Sequence, residues 1–371
     1  MKKRAILVCL DGCGPDYIEK SDVPNIRKLC RNGYYVKGKS VIPTVTNVNN
    51  VSIITGVYPE KHGITSNFYY NELGQEVYIE SPEFIMTKTI FQMAAQNNLT
   101  SALLTSKDKL CTLLRRGAHI AFSAEAPPKW VVDSIGPPPN IYSIEVNSWL
   151  FKACRLVIEK YDPNFIYVAT TDYAMHKYPP EAPESKWNMQ IIDDAIGNLI
   201  ELVDKKQTVL CITADHGMSD KRRAIDLKVL LDEYKIKAKV ASTIKDRYTV
   251  HHAGLSGSAY IYLENKGDLQ KAFHLLANAE GVDRILTRDE AVKLYHLHPD
   301  RIGDLVVFGE KEYVFGEIGA PDERICCLDV QIRSHGSLYE QEIPIIIYNL
   351  AEKVKVVENK DLGNLIAHYL K

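Results

Sequence analysis

Short β-branched runs alternate with longer helix-patterned stretches along the first half of the chain, and this alternation constrains the fold more than any other feature. It implies βαβ units and a mainly parallel sheet flanked by helices, hence an α/β fold. Buried strands are expected at Arg4–Leu10, Ser101–Thr105, Phe165–Ala169 and Thr208–Thr213, and helices at Val23–Asn32, Lys88–Asn97, Asn147–Tyr161 and Met189–Lys205. In the last of these, Ile191, Ile192, Ile196, Ile200 and Val203 form an apolar stripe at helical spacing.

From about Ile236 the texture changes. Ser258–Leu263 reads as a strand and Asp268–Ala279 as a helix. Leu305–Phe308 and Tyr313–Phe315 read as a hairpin around Gly309–Lys311, before a return to the main sheet at Pro344–Tyr348. At 371 residues the chain exceeds the roughly 250–300 residues at which one core stops growing. A catalytic core over 1–235 and 326–371 carrying an inserted α+β cap over 236–325 is therefore expected. The proline cluster Pro127–Pro139 reads as a surface loop or lid.

A net charge of −2 argues against a nucleic-acid binder, which normally carries a basic face. The apolar run from Ala5 to Leu10 is too short for a signal peptide, and no stretch approaches a membrane span. None of the eight cysteines forms a Cys-x-x-Cys pair, and several lie inside apolar runs. Reduced thiols that bind no metal, in a cytoplasmic protein, are expected.

Three carboxylates follow strand-like runs directly: Asp11 after ILVCL, Asp172 after FIYVATT, and Asp215 after VLCITA. In open α/β sheets, ligands gather beyond the carboxyl ends of the strands. Each aspartate alone would read as a helix cap or turn former. Asp172 and His176, four residues apart, meet on one helical face. Asp215 and His216 precede a glycine, and His335 lies in the loop Arg333-Ser334-His335-Gly336. Three carboxylates and three imidazoles suffice for two zinc ions with open positions left for a substrate.

Thr46 opens a helix expected to end at Gly56. Beside a metal and the helix amides its hydroxyl is a candidate nucleophile; without them it is an ordinary N-cap. Lys107 and Lys109, in extended backbone after a strand, project to one side and call for an anion between them, unless they form a solvated charged loop.

These residues resemble the alkaline phosphatase superfamily, and within it the nucleotide pyrophosphatase/phosphodiesterase branch. The likeness rests on Leu10-Asp11-Gly12, the Thr46 segment through Thr55-Gly56-Val57-Tyr58-Pro59-Glu60-Lys61-His62-Gly63-Ile64, Asp172-x-x-x-His176, Asp215-His216-Gly217-Met218 and Ser334-His335-Gly336. A narrower likeness, to the phosphonoacetate hydrolases of that branch, rests on four stretches. They are Thr105 to Leu110, Thr170 to Tyr178, Arg301 to Leu305, and Ser334-His335-Gly336 continuing to Pro344. The resemblance implies an alkaline phosphatase-like sheet with a smaller cap and two Zn2+ per chain. One ion would take Asp172, His176 and His335; the other would take Asp11, Asp215 and His216, with Thr46 as nucleophile and fourth ligand. It also implies that Asn67 binds a phosphoryl oxygen and that Lys107 and Lys109 hold a substrate carboxylate. His251 and His252 also match a family segment and receive no role.

The reaction so implied, a step in phosphonate catabolism, is hydrolysis of the carbon–phosphorus bond of phosphonoacetate to acetate and phosphate through a phosphothreonine. The expected partner is a small phosphonate rather than nucleic acid or membrane, with a homodimer allowed. The rival enzyme is a phosphodiesterase or nucleotide pyrophosphatase with the same metals, its base held between Phe68, Tyr69 and Tyr70. A phosphosugar mutase and a non-catalytic phosphonate- or zinc-binding protein are further alternatives.

Overall fold

The computed structural model describes residues 3–203, 207–247, 254–319, 326–352 and 354–371. Its strands in chain order are β1 Arg4–Cys9, β2 Tyr34–Lys39, β3 Phe68–Tyr70, β4 Glu76–Tyr78, β5 Ser101–Thr105, β6 Ile120–Ser123, β7 Phe165–Ala169 and β8 Thr208–Thr213. There follow β9 Ser219–Ile225, β10 Ala238–Ser242, β11 Ser258–Leu263, β12 Val282–Thr287, β13 Leu305–Gly309, β14 Tyr313–Phe315, β15 Cys327–Ser334 and β16 Glu342–Tyr348.

The main sheet runs β2-β16-β8-β1-β7-β5-β6. Strands β8, β1, β7, β5 and β6 are mutually parallel, while β16 is antiparallel to both β8 and β2. Every residue of β1, β5, β7 and β8 is buried, which explains why these strands read as unbroken apolar runs. Helices Glu145–Tyr161 and Pro183–Val203 pack together, and the second buries Ile192, Ile196, Ile200 and Val203. Its buried Asp193 accepts from the amides of Asn25 and Ile26, so a carboxylate caps the positive end of helix Pro24–Asn32. The helix expected to reach Lys205 is described to Val203; Lys205 lies outside the described residues.

A second, antiparallel sheet runs β10-β11-β13-β12 and has its own apolar cluster, including Ile261, Leu263, Leu276, Leu305 and Val307. A three-stranded sheet, β14-β9-β15, lies between the two in the chain's path. Here the structure corrects the expected hairpin: β14 does not pair with β13 but lies parallel to β9. The turn carbonyl of Glu312 accepts from the amides of Arg222 and Arg223, so the unpaired edge of β9 draws the chain away. The proline cluster is likewise not a plain loop. It encloses helix Lys129–Ile135, anchored by the Trp149 indole N–H to the Gly136 carbonyl at 2.9 Å and by Trp130 edge-on to Phe122 and Tyr161. Among the described residues no helix is long and apolar enough to cross a membrane.

Candidate metal-dependent active site

The strand exits of the main sheet meet at one edge. The Leu10 amide donates to the Thr213 carbonyl, the Asp11 amide to Thr170 Oγ1 and the Gly12 amide to Asp215 Oδ1, so the ends of β1, β7 and β8 are stitched together. Gly12 sits at φ +72°, and an added Cβ would meet Met175 and Met218, so the turn after Asp11 needs glycine. Ligand atoms of Asp11, Asp215 and His216 all lie within 4.8 Å of one another. Asp172 Oδ2 lies 3.3 Å from His176 Nε2 across the first turn of helix Tyr173–Lys177. Asp172 stands at the N-cap position of that helix without a side-chain capping bond, which removes the simple cap reading. His335 closes the group: its ring stacks on His216 with centroids 3.6 Å apart and lies 5.4 Å from His176.

The three imidazoles share one device. His176 Nδ1 lies 2.8 Å from the Arg333 carbonyl, His216 Nδ1 2.8 Å from the Gly217 carbonyl, and His335 Nδ1 2.7 Å from the Thr44 carbonyl. A carbonyl only accepts, so each Nδ1 carries a proton and each ring turns its Nε2 inward, where a lone pair on it can serve a cation. This is how ring orientation is fixed around a metal.

The carboxylates fit the same reading. Asp11 Oδ1 is buried and accepts no hydrogen bond from any described residue. Burial, then the neighbouring Asp215 and Asp172, push its pKa well above the ordinary carboxylate range, with Lys107 opposing. Three buried aspartates beside three Nε2 lone pairs form a donor set suited to divalent cations.

Thr46 is the first residue of helix Thr46–Thr55; Val45, not Thr46, occupies the N-cap. The Thr46 hydroxyl lies 3.1 Å from His216 Nε2, within hydrogen-bond distance. The helix ends at Gly56, φ +71°, where a Cβ would collide with Asn364. Its far end is held by His62, fully buried. The Ile64 amide donates to His62 Nδ1, so His62 Nε2–H donates to Ser52 Oγ at 2.8 Å.

Asn67 is buried, its amide donating to the Thr243 carbonyl and its Nδ2 to the Ile244 carbonyl at 3.3 Å. Its Oδ1 accepts no hydrogen bond from any described residue. The lysines differ from expectation. They do not project together from extended backbone, because a helix begins at Asp108 and Lys107 is its N-cap residue. Lys107 Nζ donates to Asp172 Oδ1 at 2.6 Å, whereas Lys109 Nζ donates to Asp246 Oδ2. Burial alone would lower the Lys107 pKa, but Asp172, Asp11 and Asp215 outweigh it and hold the ammonium charged. Phe68 does not line an open slot: it is fully buried against Tyr70 and Tyr78. His251 and His252 lie outside the described residues.

Several positioning residues escaped the sequence reading. The Tyr167 hydroxyl donates to Asn50 Oδ1, which turns Asn50 Nδ2 toward Asp215 Oδ2 and the Thr46 carbonyl. Thr44 accepts from the Gly336 amide through its hydroxyl while its carbonyl holds His335. Glu340, buried, accepts from Lys221, Ser219 and the Ser337 amide and hydroxyl, and its carbonyl accepts from the Gly217 amide. Thr44 and Asn50 lie within the motif that flags Thr46, but only tertiary contacts reveal what they hold.

The model of the type I phosphodiesterase/nucleotide pyrophosphatase family matches residues 5–336. A phosphonoacetate hydrolase of Sinorhizobium meliloti 1021, solved in complex with phosphonoformate, superposes with a TM-score of 0.90 at 33% identity, covering 100% of this chain and 96% of that one. A venom phosphodiesterase of Macrovipera lebetinus is 30% identical over 225 residues, 57% of this chain but 25% of that protein. A bis(5'-adenosyl)-triphosphatase of Mus musculus is 27% identical over 247 residues, 62% of this chain and 50% of that protein. The chain thus spans a quarter to a half of the length of these two relatives. With its alkaline phosphatase-like sheet and clustered strand-exit ligands, the chain belongs to the type I phosphodiesterase/nucleotide pyrophosphatase family, in the branch that includes phosphonoacetate hydrolase.

Proposed function

We propose that the chain hydrolyses the carbon–phosphorus bond of phosphonoacetate, giving acetate and phosphate, with Thr46 as nucleophile and two zinc ions held by the six ligands above. The observation that carries this reading is the lysine beside the ligand cluster: Lys107 Nζ touches Asp172, and Lys109 follows in the first turn of the helix that Lys107 caps. Ester hydrolysis has no use for such a pair, whereas a substrate with a carboxylate tail does. The likeness to a phosphonoacetate hydrolase over the whole chain supports it.

Two divalent cations, when bound, would withdraw charge from the phosphoryl oxygens and favour the ionised threonine hydroxyl. The chain's own residues do the rest. His335, His216 and His176 keep their Nε2 lone pairs inward through their carbonyl partners. Thr46 Oγ forms a bond to phosphorus as the phosphorus–carbon bond breaks, and the electron pair leaves on the CH2 group as an enolate of acetate. Lys107 and Lys109 stabilise the charge that gathers on its carboxyl oxygens, and solvent protonates the carbon. Water then cleaves the phosphothreonine, releasing phosphate and restoring Thr46. Asn67 holds a phosphoryl oxygen, and the antiparallel sheet β10-β11-β13-β12 acts as the cap above the site. The substrate is a small phosphonate, and the enzyme works as a cytoplasmic protein, with a homodimer compatible with this role.

The test is phosphate and acetate release from phosphonoacetate by zinc-loaded protein, with Thr46→Ala as the blank. Release of both products by wild type alone supports the reading. Silence with phosphonoacetate together with cleavage of a nucleotide ester overturns it in favour of a phosphodiesterase. That second reading draws on the family match, but the burial of Phe68 removes one wall of the slot it needs.

A further inference from the structure

Residues 243–247 form a strap that leaves the end of β10 and touches two of the three residues assigned to the substrate, Asn67 and Lys109. The Thr243 and Ile244 carbonyls accept from the amide and side chain of Asn67. Two residues on, Asp246 accepts from Lys109. The strap is pinned from outside by two cations over the rings of the β3–β4 hairpin: Lys245 lies 4.9 Å from the centroid of Phe68 and Arg247 4.1 Å from that of Tyr78. Lys245 is tied further to Glu317 at 3.0 Å.

We infer that Asp246 is a positioning residue that makes the site selective for a substrate tail of one negative charge. This rests on the reading of Lys107 and Lys109 as the tail-binding pair. The Asp246 side chain is 8% exposed and that of Lys109 20%, so the pair is largely withdrawn from water and its charges are poorly screened. An ammonium has three N–H donors; one engaged by Asp246 leaves two for a ligand and fixes their direction. Charge tells the same story. Asp172 belongs to the cation-binding cluster, so among the described residues the tail meets two ammonium groups and one carboxylate, a net single positive charge. A carboxylate balances that charge. A phosphoryl or second phosphonate tail brings two negative charges, one of them uncompensated and facing Asp246. In a family whose relatives include nucleotide pyrophosphatases and phosphodiesterases, this aspartate would turn the site away from polyphosphate-like substrates.

The test is calorimetric binding to metal-loaded protein in the Thr46→Ala background, which prevents turnover, in metal-buffered solution. Three ligands share a phosphonomethyl head and differ in the tail: phosphonoacetamide (neutral), phosphonoacetate (single charge) and methylenediphosphonate (double charge). With Asp246 intact, phosphonoacetate should bind tightest. Asp246→Asn should shift the ratio toward methylenediphosphonate by about tenfold to a hundredfold, and Asp246→Glu should restore the original order. Lys109→Gln, which removes one of the two ammonium groups and leaves the Asp246 carboxylate in place, should favour the amide over both anions. An unchanged ratio in Asp246→Asn, or a uniform weakening of all three ligands in both variants, would overturn the assignment. If wild-type protein fails to cleave phosphonoacetate while the ranking shifts as stated, the reaction is wrong and the role of Asp246 stands; cleavage with an unmoved ranking condemns Asp246 alone.

Discussion

The imidazole of His335 lies flat on that of His216, 3.6 Å between centroids and tilted by 12°. Two residues more than a hundred positions apart thus share one orientation, each proton committed to a backbone carbonyl. Neutral stacked rings can both offer Nε2, but protonation of both would place two cations face to face. Replacing His335 with alanine should cost one of two bound metals. Atomic emission on purified protein should read about two zinc ions per wild-type chain and about one in the variant.

Lys109→Ala should lower phosphonoacetate turnover by about 10²–10³-fold, the cost of one lost donor to a developing oxyanion. Hydrolysis of an activated aryl phosphate ester, which has no carboxylate to hold, should largely survive. Parallel assays on both substrates check this, and equal loss of both activities would defeat the role.

Glu340 and Lys221 form a fully buried ion pair at 2.9 Å, and Glu340 also braces the loops of His216 and His335. Burial alone would raise the Glu340 pKa, but Lys221, Ser219 and Ser337 outweigh it and hold the group ionised. Glu340→Ala strands the lysine charge in the interior and should destabilise the fold by about 3–5 kcal/mol. Urea unfolding of the two proteins measures the difference.

Burial and the nearby Arg301 push the pKa of His62 from 6.5 down to about 3. Between these values the unfolded chain binds one more proton at this position than the folded chain. The stability gained from keeping His62 neutral is complete above pH 6.5 and is lost as the pH falls toward 3. The slope is about 1.4 kcal/mol per pH unit, or about 5 kcal/mol over the window. His62→Gln should flatten that part of the profile, as denaturant unfolding at pH 4, 5.5 and 7 would reveal; an unaltered slope would rule the histidine out.

The main sheet and the cluster of candidate ligands at its edge were legible because burial and chemistry coincide there. Strands covered on both faces leave unbroken apolar runs, and a charged residue directly after such a run marks the functional edge. Ser101–Thr105, Phe165–Ala169 and Thr208–Thr213 appear with the expected limits. What was not legible depended on distant partners. Nothing local tells β14 that β9 has an open edge, or Lys109 that Asp246, 137 positions away, will take its ammonium. The lysines also showed how a helix start overrides a spacing rule: once Asp108 begins a helix, residues at i and i+2 no longer share a side.

The candidate ligands converge from strand exits and loops spread between positions 11 and 335, and none of the βα units supplies the whole set. Within any short stretch the chain offers only the local pairs Asp172–His176 and Asp215–His216. Capture of a metal by this set would therefore be coupled to completion of nearly the entire fold, and a cation bound only by the finished protein would add its binding free energy to the stability of every strand in the sheet. Chelation should lower the melting temperature of the whole core rather than loosen one loop, so that metal supply would act as quality control on folding.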